Sequence, residues 1–388
     1  MMTDLGLSML QMSFVFSAFT LAYSIFEVPT GWMGDVWGPR RVLTRIVAWW
    51  SAFTMLTGVA WNYSSLLITR FLFGAGEAGA FPNISRSFSR WFPAVERGRA
   101  NGVLFLGSRL GGALAPGIAV LFIQSWGWRT SFVVFGAIGI PWALAWFHWY
   151  RDEPSAHPGV GPEELAWIRQ NESSAPATPQ TRGGVPWKQI LVNSNICAIC
   201  GMYFTFGYGL YFYFTWLPTY LTKALGFGGW AGGVLAGLPF LLAGFADMAG
   251  GWLTDRLARS YRLKVARCWL GCVAFSGSAA MLVASTQAHH RLAKAIWLAI
   301  ALASADLALS ACWAVCVDVG KNYAGVITGL MNTFGNLGGV LGPVVVGVVL
   351  ERGGSSWEIP FYISAGIYAV GAMLWLVIEP TRQVSPTG

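Results

Sequence analysis

Residues 66–81 read LLITRFLFGAGEAGAF, and within them GAGEAG at 74–79 matches GxGxxG letter for letter. That pattern cradles a pyrophosphate only where a strand precedes it, a helix starts at its glycines and an acidic residue follows about 20 positions on. None of that context is present, because the six residues sit inside an apolar run. The run instead carries small residues four apart, Gly74 with Ala78, Ala75 with Gly79 and Gly76 with Ala80. That spacing lets transmembrane helices approach closely. The stretch therefore reads as a membrane helix whose glycines pack against a neighbour.

The rest of the chain agrees. Of 388 residues, 55% are hydrophobic and only 11% charged, with 48 Gly and 21 Trp, and the mean hydropathy is +0.53. Such a chain is too apolar for a soluble domain. Crossing about 30 Å of hydrocarbon takes about 20 predominantly apolar residues. Eleven windows of that kind are found, at 9–34, 43–61, 65–88, 101–124, 129–149, 195–222, 229–253, 267–286, 295–317, 326–350 and 359–378. Counting the arginines at the window edges (Arg45, Arg86 and Arg267 on one side, Arg129 on the other), the loops after the odd-numbered windows, with the C-terminal tail, hold 18 Lys or Arg, and the opposite loops hold 5. Basic loops face the cytoplasm, which predicts an inner-membrane protein with a cytoplasmic C-terminus. The net charge of +8 is then a topology signal and calls for no nucleic-acid partner.

Two charges fall within the opening stretch. Arg70 and Glu77 are seven residues apart, on one helix face and separated by about 10 Å along the axis. An ionisable group near mid-membrane costs about 2.5–3.5 kcal/mol even on lenient scales. Each therefore needs a partner on another helix or a water-filled cavity. The plainer alternative is a buried ion-pair network that only fixes helix packing. Glu27, Asp247 and Asp306 also lie in apolar windows, where snorkelling or pairing with backbone accounts for them without function. Arg109 is open to two readings, lining a cavity or pairing between helices.

An internal repeat organises the spans. GWMGD at 31–35 recurs as GWLTD at 251–255, an offset of 220, and LGGALAP at 110–116 recurs as LGGVLGP at 337–343, an offset of 227. This predicts an all-α integral membrane protein of two six-helix pseudo-repeats with parallel orientation, of which 11 transmembrane helices are present. The expected domains are an N-terminal half at 1–149, a cytoplasmic linker at 150–194 and a C-terminal half at 195–388. The linker is rich in Pro, Gly and Ser, with EELAWIRQ as a short surface helix. The counterpart of the window 195–222 falls before Met1, so a first helix is expected to precede the chain as given.

GWMGDVWGPRR, at 31–41, resembles the loop signature of the major facilitator superfamily, and RFLFGAGEAG resembles its fourth-helix signature with an arginine. TDLGLSMLQMSFVFSAF, RFLFGAGEAGAFPNISR, YFTWLPTYL and GLMNTFGNLGG together resemble its anion:cation symporter family, which includes bacterial sugar-acid permeases and vesicular glutamate transporters. The resemblance covers essentially the whole chain. It implies that Glu77 takes up and releases the coupling proton under the control of Arg70. It further implies that Tyr23, Arg70, Tyr208, Tyr211, Asn332 and Asn336 bind substrate. Asp35, Arg40, Arg41, Asp255 and Arg256, in the repeated cytoplasmic signatures, are expected to gate. Val36 stands where the signature usually has a basic residue.

The chemistry is coherent. A carboxyl group in a low-dielectric cavity is cheapest when protonated, so Glu77 can load a proton outside and release it inside. The Arg70 guanidinium matches a carboxylate bidentately, and Tyr hydroxyls and Asn amides read substrate hydroxyls. The expected function is proton-coupled symport of a small organic anion, a sugar acid such as a glucarate, galactonate or hexuronate, by alternating access of a monomer in the lipid bilayer. The alternative is a non-transporting sensor or an inactive truncated paralogue on the same fold. No GxxxxGK[ST] occurs, which argues against an ATP-driven pump, and no loop is rich enough in catalytic groups for an enzyme. Cys197 and Cys200 form a CxxC without a second ligand pair, so no metal is expected, and no cofactor.

Overall fold

The computed structural model describes residues 1–93, 96–169, 187–320, 323–353 and 356–382, with backbone alone at 35, 97–99, 101, 102 and 324. Regular structure among the described residues is helical. Among the described residues, eight helices are long and apolar enough to cross a membrane: Met9–Gly34, Val103–Trp149, Ser194–Thr215, Gly229–Ser260, Val265–Gln287, Arg291–Gly320, Gly325–Arg352 and Glu358–Val377. The chain is a multi-pass membrane protein.

Three local features separate these eight from the eleven windows. The helix Pro39–Gly58 forms as expected, but Arg40, Arg41 and Arg45 open it and dilute its apolar character. The window 65–88 is broken after Glu77, where Ala78 turns extended and Gly79 takes φ +82, leaving helices Tyr63–Glu77 and Ala80–Trp91. The windows 101–124 and 129–149 lie on Arg97–Trp149, interrupted only by the non-helical Gly127 at φ 76. A left-handed φ of that kind is open to glycine at little cost.

The starts of three helices are specified by local caps. Ser8 caps Met9–Trp37 by accepting from the Gln11 N–H at 3.1 Å, while Gln11 accepts from the Ser8 N–H at 3.0 Å. Asn62 and Ser65 repeat that reciprocal box before Tyr63–Glu77, and Asn193 caps Ser194–Thr215. These side chains satisfy backbone N–H groups that the helix leaves without partners. Within the expected linker, Pro162–Arg169 forms the short helix read from EELAWIRQ, and residues 170–186 lie outside the described residues.

The helices cluster in two compact units, Met1–Ser108 with Phe122–Gln180, and Arg109–Leu121 with Thr181–Gly388. In the first, Met9–Trp37 packs along Tyr63–Glu77. A Cβ on Gly74 would collide with the Phe19 carbonyl, one on Gly76 with the Trp49 ring, and one on Gly79 with Thr30. The small residues of GAGEAG are therefore contact points between helices, as their spacing indicated. In the second unit, Ser194–Thr215 packs on Ala324–Arg352 through Gly207 against the Gly335 carbonyl and Gly338 against the Phe204 carbonyl. Segment 109–121 meets Gly229–Ser260 in the same way, Gly237 against the Ala113 carbonyl and Gly233 against Gly117.

Candidate functional site

In the first unit the predicted residues gather around one ring. Phe19, on Met9–Trp37, lies 6.1 Å from the Tyr23 ring and 5.3 Å from Phe73. The Arg70 guanidinium sits over both Phe19 and Phe73, at 5.3 and 4.8 Å from their centroids. A cation over an aromatic face is attracted by the ring quadrupole, so the rings hold Arg70 without neutralising it. Glu77 is the last residue of the same helix and half-buried. Among the described residues neither Arg70 nor Glu77 makes an ion pair, although the two charges act on each other electrostatically.

In the second unit two further predicted residues meet. The Tyr211 hydroxyl donates to Asn336 Oδ1 at 3.3 Å, and the Tyr211 ring lies against Gly339. The Asn336 amide nitrogen is buried and finds no hydrogen-bond partner among the described residues. Asn332, one turn earlier, is half-buried. Tyr208 is buried, and its hydroxyl also lacks a partner there. Buried polar atoms in a native fold are nearly always satisfied by protein, water or ligand, so this face of Ser194–Thr215 has unused hydrogen-bonding capacity.

The Major Facilitator Superfamily profile matches residues 1–343. A Cupriavidus necator protein named as a probable sulfoacetate transporter, SauU, is 34% identical over 384 residues, 98% of this chain and 88% of that one. The chain belongs to the major facilitator superfamily. A Bacillus subtilis relative named as a probable galactarate/D-glucarate transporter, GudP, is 30% identical over 98% of this chain and 86% of its own length. Among solved structures, a bacterial homologue of the human lysosomal transporter Spinster superposes with TM-score 0.77 at 17% identity, covering 100% of this chain and 93% of that one. That likeness speaks to the fold alone.

The loop signatures of this superfamily member are anchored by acids the sequence reading did not single out. The Arg40 main-chain N–H donates to Asp152 Oδ1 at 2.9 Å, its Nε donates to the Phe147 carbonyl at 2.8 Å, and its guanidinium lies 4.5 Å over the Phe147 ring. Gly38, at φ +81, leaves the space that Asp152 fills. Arg41 is exposed, and the Asp35 side chain lies outside the described residues. In the second signature Asp255 pairs with Arg267 at 3.5 Å, and Arg267 also reaches Asp318 at 3.3 Å. Arg256 lies 5.3 Å from the centroid of the Trp252 ring. Phe19 was legible as the residue one turn before Tyr23. Asp152, Arg267 and Asp318 carry no local pattern that marks them.

A third charged cluster holds Arg109. Its Nη2 pairs with Asp306 Oδ2 at 2.5 Å, so Arg109 pairs between helices. Asp247 nearby accepts from the Ser310 hydroxyl at 3.0 Å. A cleft of about 270 Å³ among Tyr220, Thr286, Lys294, Trp357 and Glu358 shares no residue with the predicted site. Groups of three or more His, Cys, Asp or Glu placed to hold a metal are absent among the described residues.

Proposed function

We propose that this protein is a proton-coupled symporter of a small organic anion, working by alternating access with Glu77 as the proton carrier. The observation that carries the reading is the state of Arg70 and Glu77: a cation and a carboxyl on one face of an interrupted membrane helix, neither of which makes an ion pair with another helix among the described residues. A purely structural network would pair each of them with a charge on a neighbouring helix, since a buried charge left without a partner is costly. With the carboxyl protonated, Arg70 is an unopposed cation that a carboxylate or sulfonate can neutralise. With it ionised, Glu77 competes with the anion for Arg70. Binding of anion and proton is thereby linked, and neither is favoured alone.

Tyr23 through Phe19, and Tyr211 with Asn336, supply the polar groups that orient the substrate, each in its own unit. The names of the relatives favour a substrate with one or two carboxylate or sulfonate groups, either a sugar acid or a short sulfonate. The helices on either side of Gly127 read as separate spans, as do Pro39–Gly58 and the broken pair around Gly79, which gives eleven spans in two related halves. The basic loops place the C-terminus in the cytoplasm. Asp35, Arg40, Arg41, Asp255 and Arg256 act as gates at that face. Uptake of labelled sulfoacetate and D-glucarate into vesicles containing the purified chain tests the reading. Accumulation of either that collapses when the pH gradient is dissipated supports it, and binding without uptake under any gradient favours the sensor alternative.

A further inference from the structure

Asp306 is a carboxyl that the mechanism above does not use. It is fully buried, and it closes the helix Arg291–Asp306 at an interruption, Leu307–Ala308, within the span Arg291–Gly320. Glu77 closes its own helix at an interruption in the same manner. The two acids stand 229 residues apart, two beyond the offset that relates LGGALAP to LGGVLGP. The Oδ2 of Asp306 faces Arg109 Nη2 as an ion pair, and both carboxyl oxygens are buried without a hydrogen-bond partner among the described residues. The Arg109 side chain keeps 18% of its surface exposed. The other titratable groups acting on this carboxyl are Asp247 from Gly229–Ser260, Tyr203 and Tyr213 from Ser194–Thr215, Cys312 from Leu309–Gly320 and Tyr368 from Glu358–Val377. Tyr213 is committed to the Leu298 carbonyl at 2.8 Å. Arg109 is the one cation in the set.

We propose that Arg109 and Asp306 form a second proton-gated anion site, in which a proton on Asp306 releases Arg109 to a carboxylate or sulfonate. The step balances. A proton adds to Oδ1, the pair changes from neutral to a single positive charge, the guanidinium then takes one anionic group, and loss of the proton restores the ion pair and expels the anion. An ion pair whose carboxyl oxygens make no hydrogen bond among the described residues and whose cation is partly exposed is suited to that exchange, because a fixed structural pair gains by satisfying every atom. The site rests on the proposed symport reading for its substrate class and on geometry alone for its proton.

Two measurements on the purified full chain in lipid test it. Infrared difference spectra recorded while pH is stepped should show a buried-carboxyl band that Asp306→Asn removes and Glu77→Gln leaves in place. No band lost in Asp306→Asn overturns the proposal whatever the substrate is. The second is the affinity of sulfoacetate and D-glucarate against pH, where one linked proton makes binding fall about tenfold per pH unit over its titration. Asp306→Asn should flatten part of that slope, and an unchanged slope overturns the proposal. Where Asp306→Asn does not fold, the double variant Arg109→Leu with Asp306→Leu replaces the pair by apolar groups. Wild-type affinity in the double variant means a packing pair only and overturns the site. A wild-type chain that binds neither probe defeats the symport reading and the anion half of this proposal, while the infrared band still decides the proton half.

Discussion

Arg70 illustrates how a side chain is kept charged inside a membrane. Phe19 and Phe73 surround the guanidinium with ring faces at 5.3 and 4.8 Å, which stabilises a cation without presenting a base. Arg70→Ala is expected to abolish uptake and exchange together, since no other described group takes over the anion there. Tyr211→Phe removes one neutral hydrogen bond to Asn336, worth about 0.5–1.5 kcal/mol. It is expected to weaken substrate affinity roughly two- to tenfold in an equilibrium binding assay, with the helix packing intact. No change in affinity would place the Tyr211–Asn336 pair outside the substrate path. Arg70, Glu77, Tyr211 and Asn336 were legible because charge in an apolar window, or an amide pair one turn apart in a recognisable motif, stands out. The Arg109–Asp306 pairing was not, because an ion pair between residues almost 200 positions apart is created by tertiary packing and leaves no local spacing to read.

The helices themselves are set by small residues. Membrane helices have no hydrophobic drive to associate in lipid, so close backbone approach supplies the contact. Gly74→Ala and Gly207→Ala push a Cβ into the carbonyls of Phe19 and Gly335, and are expected to lower the melting temperature of the purified protein by an amount matching overpacking of about 1–3 kcal/mol. Gly107→Ala meets nothing within 4 Å and is expected to leave it unchanged or slightly raised. Equal effects at all three positions would contradict the packing account. The four-residue spacing of small residues made the first contact legible in the sequence. The helix break after Glu77 was not, since Ala78 and Gly79 look like two more members of the same small-residue stripe, and only the left-handed φ of Gly79 distinguishes them.

A latch at one end of the second unit gives its stability a pH dependence. Asn195 donates to the Glu379 carbonyl and accepts from its N–H, each at 2.9 Å. The Lys264 ammonium donates to the Glu379 carboxylate at 2.9 Å, and this hydrogen bond, helped by the Thr381 hydroxyl, holds that carboxyl below its ordinary value. A folded-state value below the unfolded one contributes stability above the carboxylate range, and that contribution is lost as pH falls through the folded value. Acid is therefore expected to lower the melting temperature of the wild type more than that of Glu379→Gln. Solvent around the pair keeps the difference small, and an identical acid response of the two proteins would remove Glu379 from the latch.

For the whole molecule, the fold class was legible from composition and window length alone, and the superfamily from motifs spread along the chain. The number of spans was less so, because arginines dilute the apolar stretch of Pro39–Gly58 and window length does not tell whether the chain turns at Gly127. The central claim is that Glu77 couples the movement of an anion to that of a proton. The most direct test compares wild type and Glu77→Gln in vesicles, measuring accumulation of labelled sulfoacetate or D-glucarate driven by a pH gradient, and exchange of internal for external substrate without one. The account predicts that Glu77→Gln loses accumulation and keeps exchange. Full accumulation by Glu77→Gln would contradict it and move the coupling carboxyl elsewhere in the membrane.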